Sequence, residues 1–588
     1  MNSPNFRLFD FIYHQDNHLP LEDSLSSKEN GEWKKISTQE YILLAKKLSI
    51  GLLNLGLDKG DRIGIISNNR YEWNIVDIAV QQAGFIGVPI YPTISAKEFE
   101  FIFNDAEIKI VFVSDALLNE KINNIKINIP SLQKIYTFDK VNSGNHWTEV
   151  MSLNLDGFEK VQKIMDSINS GDLATIIYTS GTTGMPKGVM LSHSNIATNT
   201  LASSRRLLLN KGERALSFLP LCHIYERMMI YLYQYNSLSI YYAESMETIG
   251  DNIRELKPVV FSAVPRLLEK VFDKIMKKGY ELSGLKKSLF FWAVKLAEKY
   301  EPFGSNGFWY ELKLKIARKL IFSKWQAALG GKVKKISSGS AALNPRLCRI
   351  FNAAGIPVME GYGLSETSPV ISVNCEMDKG VKMGTTGRPI ENVEVKIASD
   401  GEILIKGPNV MMGYYKRPDL TDEVIDKEGW FHTGDIGTLE EGEFLKITDR
   451  KKEIFKTSGG KYIAPQVLEN KLKQSNFIEQ VMIVGENKNF PAALISPSFD
   501  FIKDYCATNN IQCNTHEEMV SNPQIINLVQ KDVDEINIDL GKWEQVKKFV
   551  LLPNVWSIDS GELTPTMKLK RKIILEKYIA YFNNIYPE

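Results

Sequence analysis

YTSGTTGMPKG, residues 178 to 188, decides how the rest of the chain is read. Five hydroxyl residues (Tyr178, Thr179, Ser180, Thr182, Thr183) and three glycines (Gly181, Gly184, Gly188) accompany a single cation, Lys187. Glycine reaches positive φ and lets the backbone come close to a ligand, while amides and hydroxyls donate to phosphate oxygens, so the stretch suits a bound triphosphate. DLATIIYTS before it is a short, β-branched apolar run that predicts a strand, and VMLSHSNI after it predicts the start of a helix. The lysine lies between Pro186 and Gly188 and so does not fit GxxxxGK[ST], which disfavours a P-loop NTPase. A plain surface turn rich in Gly and Thr is the alternative for the segment taken alone.

Outward from this loop, residues 39 to 115 alternate helical and strand patterns. TQEYILLAKKLSIGLLNLGL and YEWNIVDIAVQQAGF are helical, while DRIGIISNN, GVPIYPT and KIVFVSD read as strands. Such alternation predicts an α/β fold with layers around a largely parallel sheet. Short strands and turns dominate from 384 to 449, which predicts a β-rich subdomain. After DRKKE at 449 to 453 a helix ending near Gln474 and the strands IEQVMIVG and PAALISP predict a smaller α+β domain. The expected organisation is a large N-terminal domain over 1–449 and a C-terminal domain over 450–588, with the charged DRKKE run as a hinge.

With 588 residues, 44% hydrophobic and 24% charged, the chain can bury several cores, and its formal charge of +1 gives no reason to expect nucleic acid. Its five cysteines are scattered without metal-ligand spacing, the N-terminus lacks a signal-peptide pattern, and no 18-residue uncharged apolar run occurs. A reduced, cytoplasmic setting is expected. Segment 274 to 335 sets lysines among Phe290, Phe291, Trp292, Trp309 and Trp325. It reads first as core aromatics under a solvated basic face, and second as a peripheral contact with anionic lipid.

Four further stretches follow the loop in order: GYGLSET at 361 to 367, WFHTGD at 430 to 435, DRKKE, and LTPTMKLKRK at 563 to 572. In the first, Tyr362 can stack on adenine, Ser365 can donate to a phosphate, and Glu366 is an oxygen ligand suited to Mg²⁺. Together the motifs resemble the adenylate-forming (AMP-binding) superfamily, and within it a bacterial long-chain fatty acid CoA ligase, over roughly residues 30 to 580. The resemblance implies a fatty acid, ATP and CoA as substrates, with Mg²⁺. It also implies an acyl-adenylate formed first and a CoA thioester second. An acceptor carrier protein, an aryl or medium-chain acid, and a non-catalytic sensor are the alternatives.

The resemblance also distributes roles. Thr179, Ser180, Gly181, Thr182, Thr183, Gly184 and Lys187 hold the phosphates, and Gly361, Tyr362, Gly363 and Ser365 line the nucleotide. Asp435 takes the ribose hydroxyls with Arg450, which could otherwise be an ordinary surface ion pair. In SSGSAALNP, Gly339, Ser340 and Ala341 approach the nucleotide by backbone, although the string also reads as a helix start with Asn344 capping Pro345. His223, after LPL, positions substrate, with general-base action on CoA left open. Lys568 serves the first half-reaction; Met567 stands where the family usually has glycine, so Lys570 is the second candidate. Rotation near Lys452 then brings Gly459 and Gly460 to the pantetheine arm of CoA.

Overall fold

The computed structural model describes residues 6–587 except 143, 180–185, 539, 559 and 565–566. Two large sheets build the N-terminal part. In the nine-stranded sheet, Val358–Gly363, Lys335–Ser338, Val260–Ala263, Arg214–Ser217, Ser239–Tyr242 and Leu25–Glu29 run parallel in that order, with antiparallel strands at both edges. The eight-stranded sheet centres on Leu173–Thr179, Ile86–Pro89, Arg62–Ile66 and Ile108–Val113. Helices lie between the two sheets: Tyr71–Gln82 touches strands of both, and all twelve of its residues are buried. Its apolar residues pack on both sides, and its buried polar residues Glu72, Asn74, Asp77, Gln81 and Gln82 need partners within the protein.

A buried ion pair fixes this middle layer. Arg227, on the helix Ile224–Tyr235, reaches Asp77 Oδ1 at 2.5 Å and donates to Thr175 Oγ1 at 2.8 Å, while Tyr231 donates its hydroxyl to Asp77. The helix that begins at His223 is thereby tied to the strand that enters the 178–188 loop.

That loop differs from its predicted strand–loop–helix form. Lys187–Ser192 is a second strand, antiparallel to Leu173–Thr179 with Thr179 opposite Lys187, and the helix starts at His193. Val189, Met190 and Leu191 complete the sheet, and Ser192 with Asn195 forms the capping box that starts the helix. The β-rich subdomain is an antiparallel sheet of Glu394–Ile397, Glu402–Lys406, Phe431–Glu440 and Phe444–Arg450. Beyond it, Ile478–Val484, Ala492–Pro497 and Lys548–Leu551 form a three-stranded sheet with separate cores built from residues 455 onward.

The basic aromatic segment divides. Phe290 and Trp325 are core, whereas Trp292 and Trp309 are exposed, so the reading of all these aromatics as core is corrected. Trp309 lies on a helix, Phe308–Ala317, that buries Leu314 and Ala317 and turns its other face to water, and Trp292 lies on the outer face of Gly284–Ala297, which buries Phe290, Ala293, Val294 and Ala297.

Candidate active site

The strand Val358–Gly363 runs into a 3₁₀ turn, Ser365–Thr367, before returning as Val370–Val373. Gly363 is required where the two strands meet, because a Cβ there would lie 1.8 Å from the Pro369 carbonyl oxygen. Ser365 and Glu366 therefore sit on the bend. Across from them, Asp435 pairs in register with Arg450 on the adjacent strand. The Tyr362 hydroxyl donates to Asp435 Oδ2 at 2.5 Å, and Arg450 Nε lies 3.3 Å from Oδ1. Burial raises the Asp435 pKa against the opposing pull of Arg450 and of the Tyr362 hydrogen bond. Each carboxylate oxygen keeps a lone pair for a further donor.

Lys568 enters this group from the C-terminal domain on a tight hairpin. Thr564 N–H donates to the Lys568 carbonyl at 2.8 Å, Met567 N–H to the Thr564 carbonyl at 2.8 Å, and Leu563 bridges Leu569. Met567 has φ +62°, the left-handed region that glycine enters freely. A methionine holds this backbone at a cost of about 1–2 kcal/mol, offset by packing against the core around Leu563 and Tyr578. Burial, then Arg450, push the Lys568 pKa down to about 8, while Asp435, Glu366 and Glu453 pull it up. Lys570 instead leads into the helix Arg571–Lys577, its amide bonded to the Glu562 carbonyl.

His223 caps the helix Ile224–Tyr235, its Nδ1 accepting from Tyr225 N–H at 3.1 Å. The ring proton is then on Nε2. Burial, and after it the charge of Lys568, lower its pKa to about 4, so a neutral imidazole offers an N–H donor here. That geometry suits substrate positioning better than proton abstraction.

Around the nucleotide loop, the ring of Tyr225 would meet a Cβ on Gly339 at 3.4 Å, and Ser340 has φ +70°. Leu343 N–H donates to Glu360 Oε1 at 3.0 Å, and burial pushes that carboxyl up to about 8. Asn344 caps Pro345–Ala353, so Ala341 and its neighbours form a loop leading into a helix start.

Of the phosphate-loop residues, Ser180, Gly181, Thr182, Thr183 and Gly184 lie outside the described residues. Lys187 Nζ sits 5.1 Å over the Tyr414 ring, and the Tyr414 hydroxyl donates to Glu366 Oε1 at 2.9 Å, so lysine and carboxylate share one tyrosine. Tyr178 is buried with its hydroxyl on Asp105 at 2.5 Å and is not available to a phosphate. Gly459 and Gly460 lie in an exposed turn closed by Thr457 and Lys461 and bonded to Lys488 of their own domain; Lys452 is exposed too. The structure does not bring these three into the cleft.

Sequence reasoning missed Tyr414, Glu360, Tyr225 and Glu453. Glu360 precedes GYGLSET and could have been flagged as an acid inside an apolar strand, whereas nothing in sequence marks Tyr414. Among the described residues no group of three or more His, Cys, Asp or Glu could hold a metal ion. A lone Glu366 fits an ion that takes its remaining ligands from phosphates and water.

In fold the chain resembles the A domain of a carboxylic acid reductase from Segniliparus rugosus, solved with AMP, at TM-score 0.76 and 17% identity, over 100% of this chain and 95% of that one. The chain belongs to the AMP-binding enzyme family, whose model matches residues 14–415, with the AMP-binding enzyme C-terminal domain matching 452–588. It is 33% identical to long-chain-fatty-acid CoA ligase FadD15 of Mycobacterium bovis, over 95% of this chain and 93% of the relative. It is also 33% identical to the peroxisomal long chain acyl-CoA synthetase 6 of Arabidopsis thaliana, over 95% and 82%. Among the described residues no helix is long and apolar enough to cross a membrane.

Proposed function

We propose that the protein is a long-chain fatty acid CoA ligase that uses ATP to form an acyl-adenylate and pyrophosphate, then transfers the acyl group to CoA and releases AMP. The observation that carries the reading is Lys568, delivered by the C-terminal domain to Asp435 and Glu366 of the N-terminal domain and to Arg450 at the boundary between the two. Attack of a carboxylate on the α-phosphate brings two anions together, so catalysis rests on positioning and charge neutralisation. Lys568 stabilises charge that develops at the α-phosphate as the bond to the leaving pyrophosphate breaks. Lys187 and the hydroxyls of its loop grip the pyrophosphate side. Asp435 and Arg450 hold the ribose, and the ring of Tyr362, fixed through its hydroxyl, faces the base. A Mg²⁺ ion on Glu366 would neutralise phosphate charge.

The acyl-adenylate is labile to water, which favours a site that closes around it. For the thiol step the C-terminal domain rotates near Lys452, withdrawing Lys568 and bringing the Gly459–Gly460 turn to the pantetheine arm. The names of the relatives support a long, apolar acid, and such a substrate partitions into bilayers, so a peripheral membrane contact through 274 to 335 would serve its supply. A CoA-dependent AMP-release assay over fatty acids of graded length and aryl acids tests the reading. Release that rises with chain length and needs CoA supports it; failure to consume CoA while pyrophosphate exchange with the acid persists points to a carrier-protein acceptor, and neither activity with any acid overturns it.

A further inference from the structure

The helix Phe308–Ala317 and the π turn after it, Arg318–Phe322, carry two apolar faces. One, with Leu314, Ala317 and Phe322, is core. The other is in water: Phe308 is 74% and Trp309 72% exposed, and Leu312, Ile316 and Leu320 are exposed at helical steps beyond them. Five large apolar side chains in one solvent-facing stripe mark an interaction surface rather than scattered exposure.

Charge identifies the partner. Lys313, Lys315, Lys319 and Lys324 are exposed around the stripe. Between 284 and 328 there are nine Lys and Arg against three Glu, in a chain whose formal charge is +1. Two of those acids are already matched from outside the segment, Glu298 by Arg346 and Glu301 by Arg349, each at 2.7 Å. An aromatic and aliphatic face bordered by lysines is the pattern of a helix lying in a membrane interface, with rings at headgroup level and ammonium groups on lipid phosphates. A second copy of the chain would present the same lysine border, so self-association through this face is opposed by like charge.

We propose that this face docks the protein on an anionic lipid bilayer, Phe308, Trp309, Leu312, Ile316 and Leu320 entering the interface while the surrounding lysines contact headgroups. The proposal specifies the face through which the supply of an apolar acid, as read above, would run, but it requires neither ATP nor acid, so its failure leaves the catalytic reading standing. The full chain is sedimented with phosphatidylcholine vesicles with and without phosphatidylglycerol. Binding that requires the anionic lipid and weakens with salt is expected. Phe308→Ser with Trp309→Ser lowers partitioning at least about tenfold, and Lys313→Gln or Lys319→Gln each by about fivefold. The melting temperature stays unchanged, since these side chains already lie in water. Absence of binding to anionic vesicles, or equal binding by the Phe308/Trp309 variant, overturns the proposal. So does a dimer in solution that dissociates on that double substitution, which would make the face a contact between copies.

Discussion

At Lys568 a cation faces Asp435, Glu366 and Glu453 but also Arg450, and its pKa of about 8 is the balance of burial and these charges. The ammonium is retained at pH 7 and lost as pH rises through 8, so pyrophosphate exchange should decline above that pH. Lys568→Ala should lower exchange by about 10²–10³, the range for a single preorganised donor, while thioester formation from supplied acyl-AMP continues. Lys570→Ala should change exchange little; equal loss of both half-reactions in Lys568→Ala would remove the lysine from its assigned role. Glu360 gives a different test. Its carboxyl, raised from 4.5 to about 8, is protonated in the folded chain and ionised in the unfolded chain between those values. Folding then takes up a proton, and stability falls as pH rises across that window. Glu360→Gln keeps an acceptor for Leu343 and removes the titration, so it should melt higher than the parent at pH 8, with little gain at pH 5. A gain equal at both pH values would mean the carboxyl is not the titrating group.

Among the elements, Ile224–Tyr235 has its place set by one ion pair, both of whose members are about 1% exposed. Asp77→Ala would leave the Arg227 guanidinium buried without its counter-charge. The expected loss is about 3–5 kcal/mol in the unfolding of the large domain by urea; a loss below about 1 kcal/mol would mean water reaches the arginine. How far sequence could reach differs by element for physical reasons. The helices Thr38–Leu53 and Tyr71–Gln82 were legible because apolar periodicity and length distinguish them. Lys187–Ser192 was misread because its three apolar residues, Val189 to Leu191, are too short a run to carry a period of their own. Its strand character comes from pairing with Leu173–Thr179. The motif residues Tyr362, Glu366, Asp435 and Arg450 were legible as a set, since local turns and strand ends present them. Tyr414 was not: it reaches Glu366 across 48 residues only because Gly413–Tyr414 adds to the edge of the sheet beside Lys187–Ser192. The outward face of Phe308–Ala317 was ambiguous for a related reason, as a helix apolar on two sides does not tell which side meets the core.

Across the whole molecule, two ion pairs remote from the reacting groups help hold the C-terminal domain where Lys568 reaches the cleft. Arg266, on the helix Pro265–Glu281, bonds Glu269 of its own helix at 3.1 Å and also Glu479 of the C-terminal domain, and Lys277 pairs with Asp504 at 2.6 Å. Neither belongs to the reacting groups, so they bias the arrangement rather than the chemistry. Lys277 and Asp504 are both about half exposed, so water and salt screen that pair; the more sheltered Arg266 contributes more. Glu479→Ala with Lys277→Ala should therefore lower pyrophosphate exchange severalfold by depopulating the arrangement in which Lys568 is engaged. Thioesterification of supplied acyl-AMP, which in the proposed rotation follows release of the domain, should be unchanged or faster. Lys452→Pro should do the reverse, sparing exchange and suppressing acyl-CoA output, because it stiffens the turn about which we propose the domain rotates. The two sets of variants move the two half-reactions in opposite directions only if one lysine-bearing domain alternates between them. If both variants slowed both steps in proportion, or if Lys452→Pro made acyl-CoA at the parental rate, the site would have to complete both reactions in the arrangement seen here.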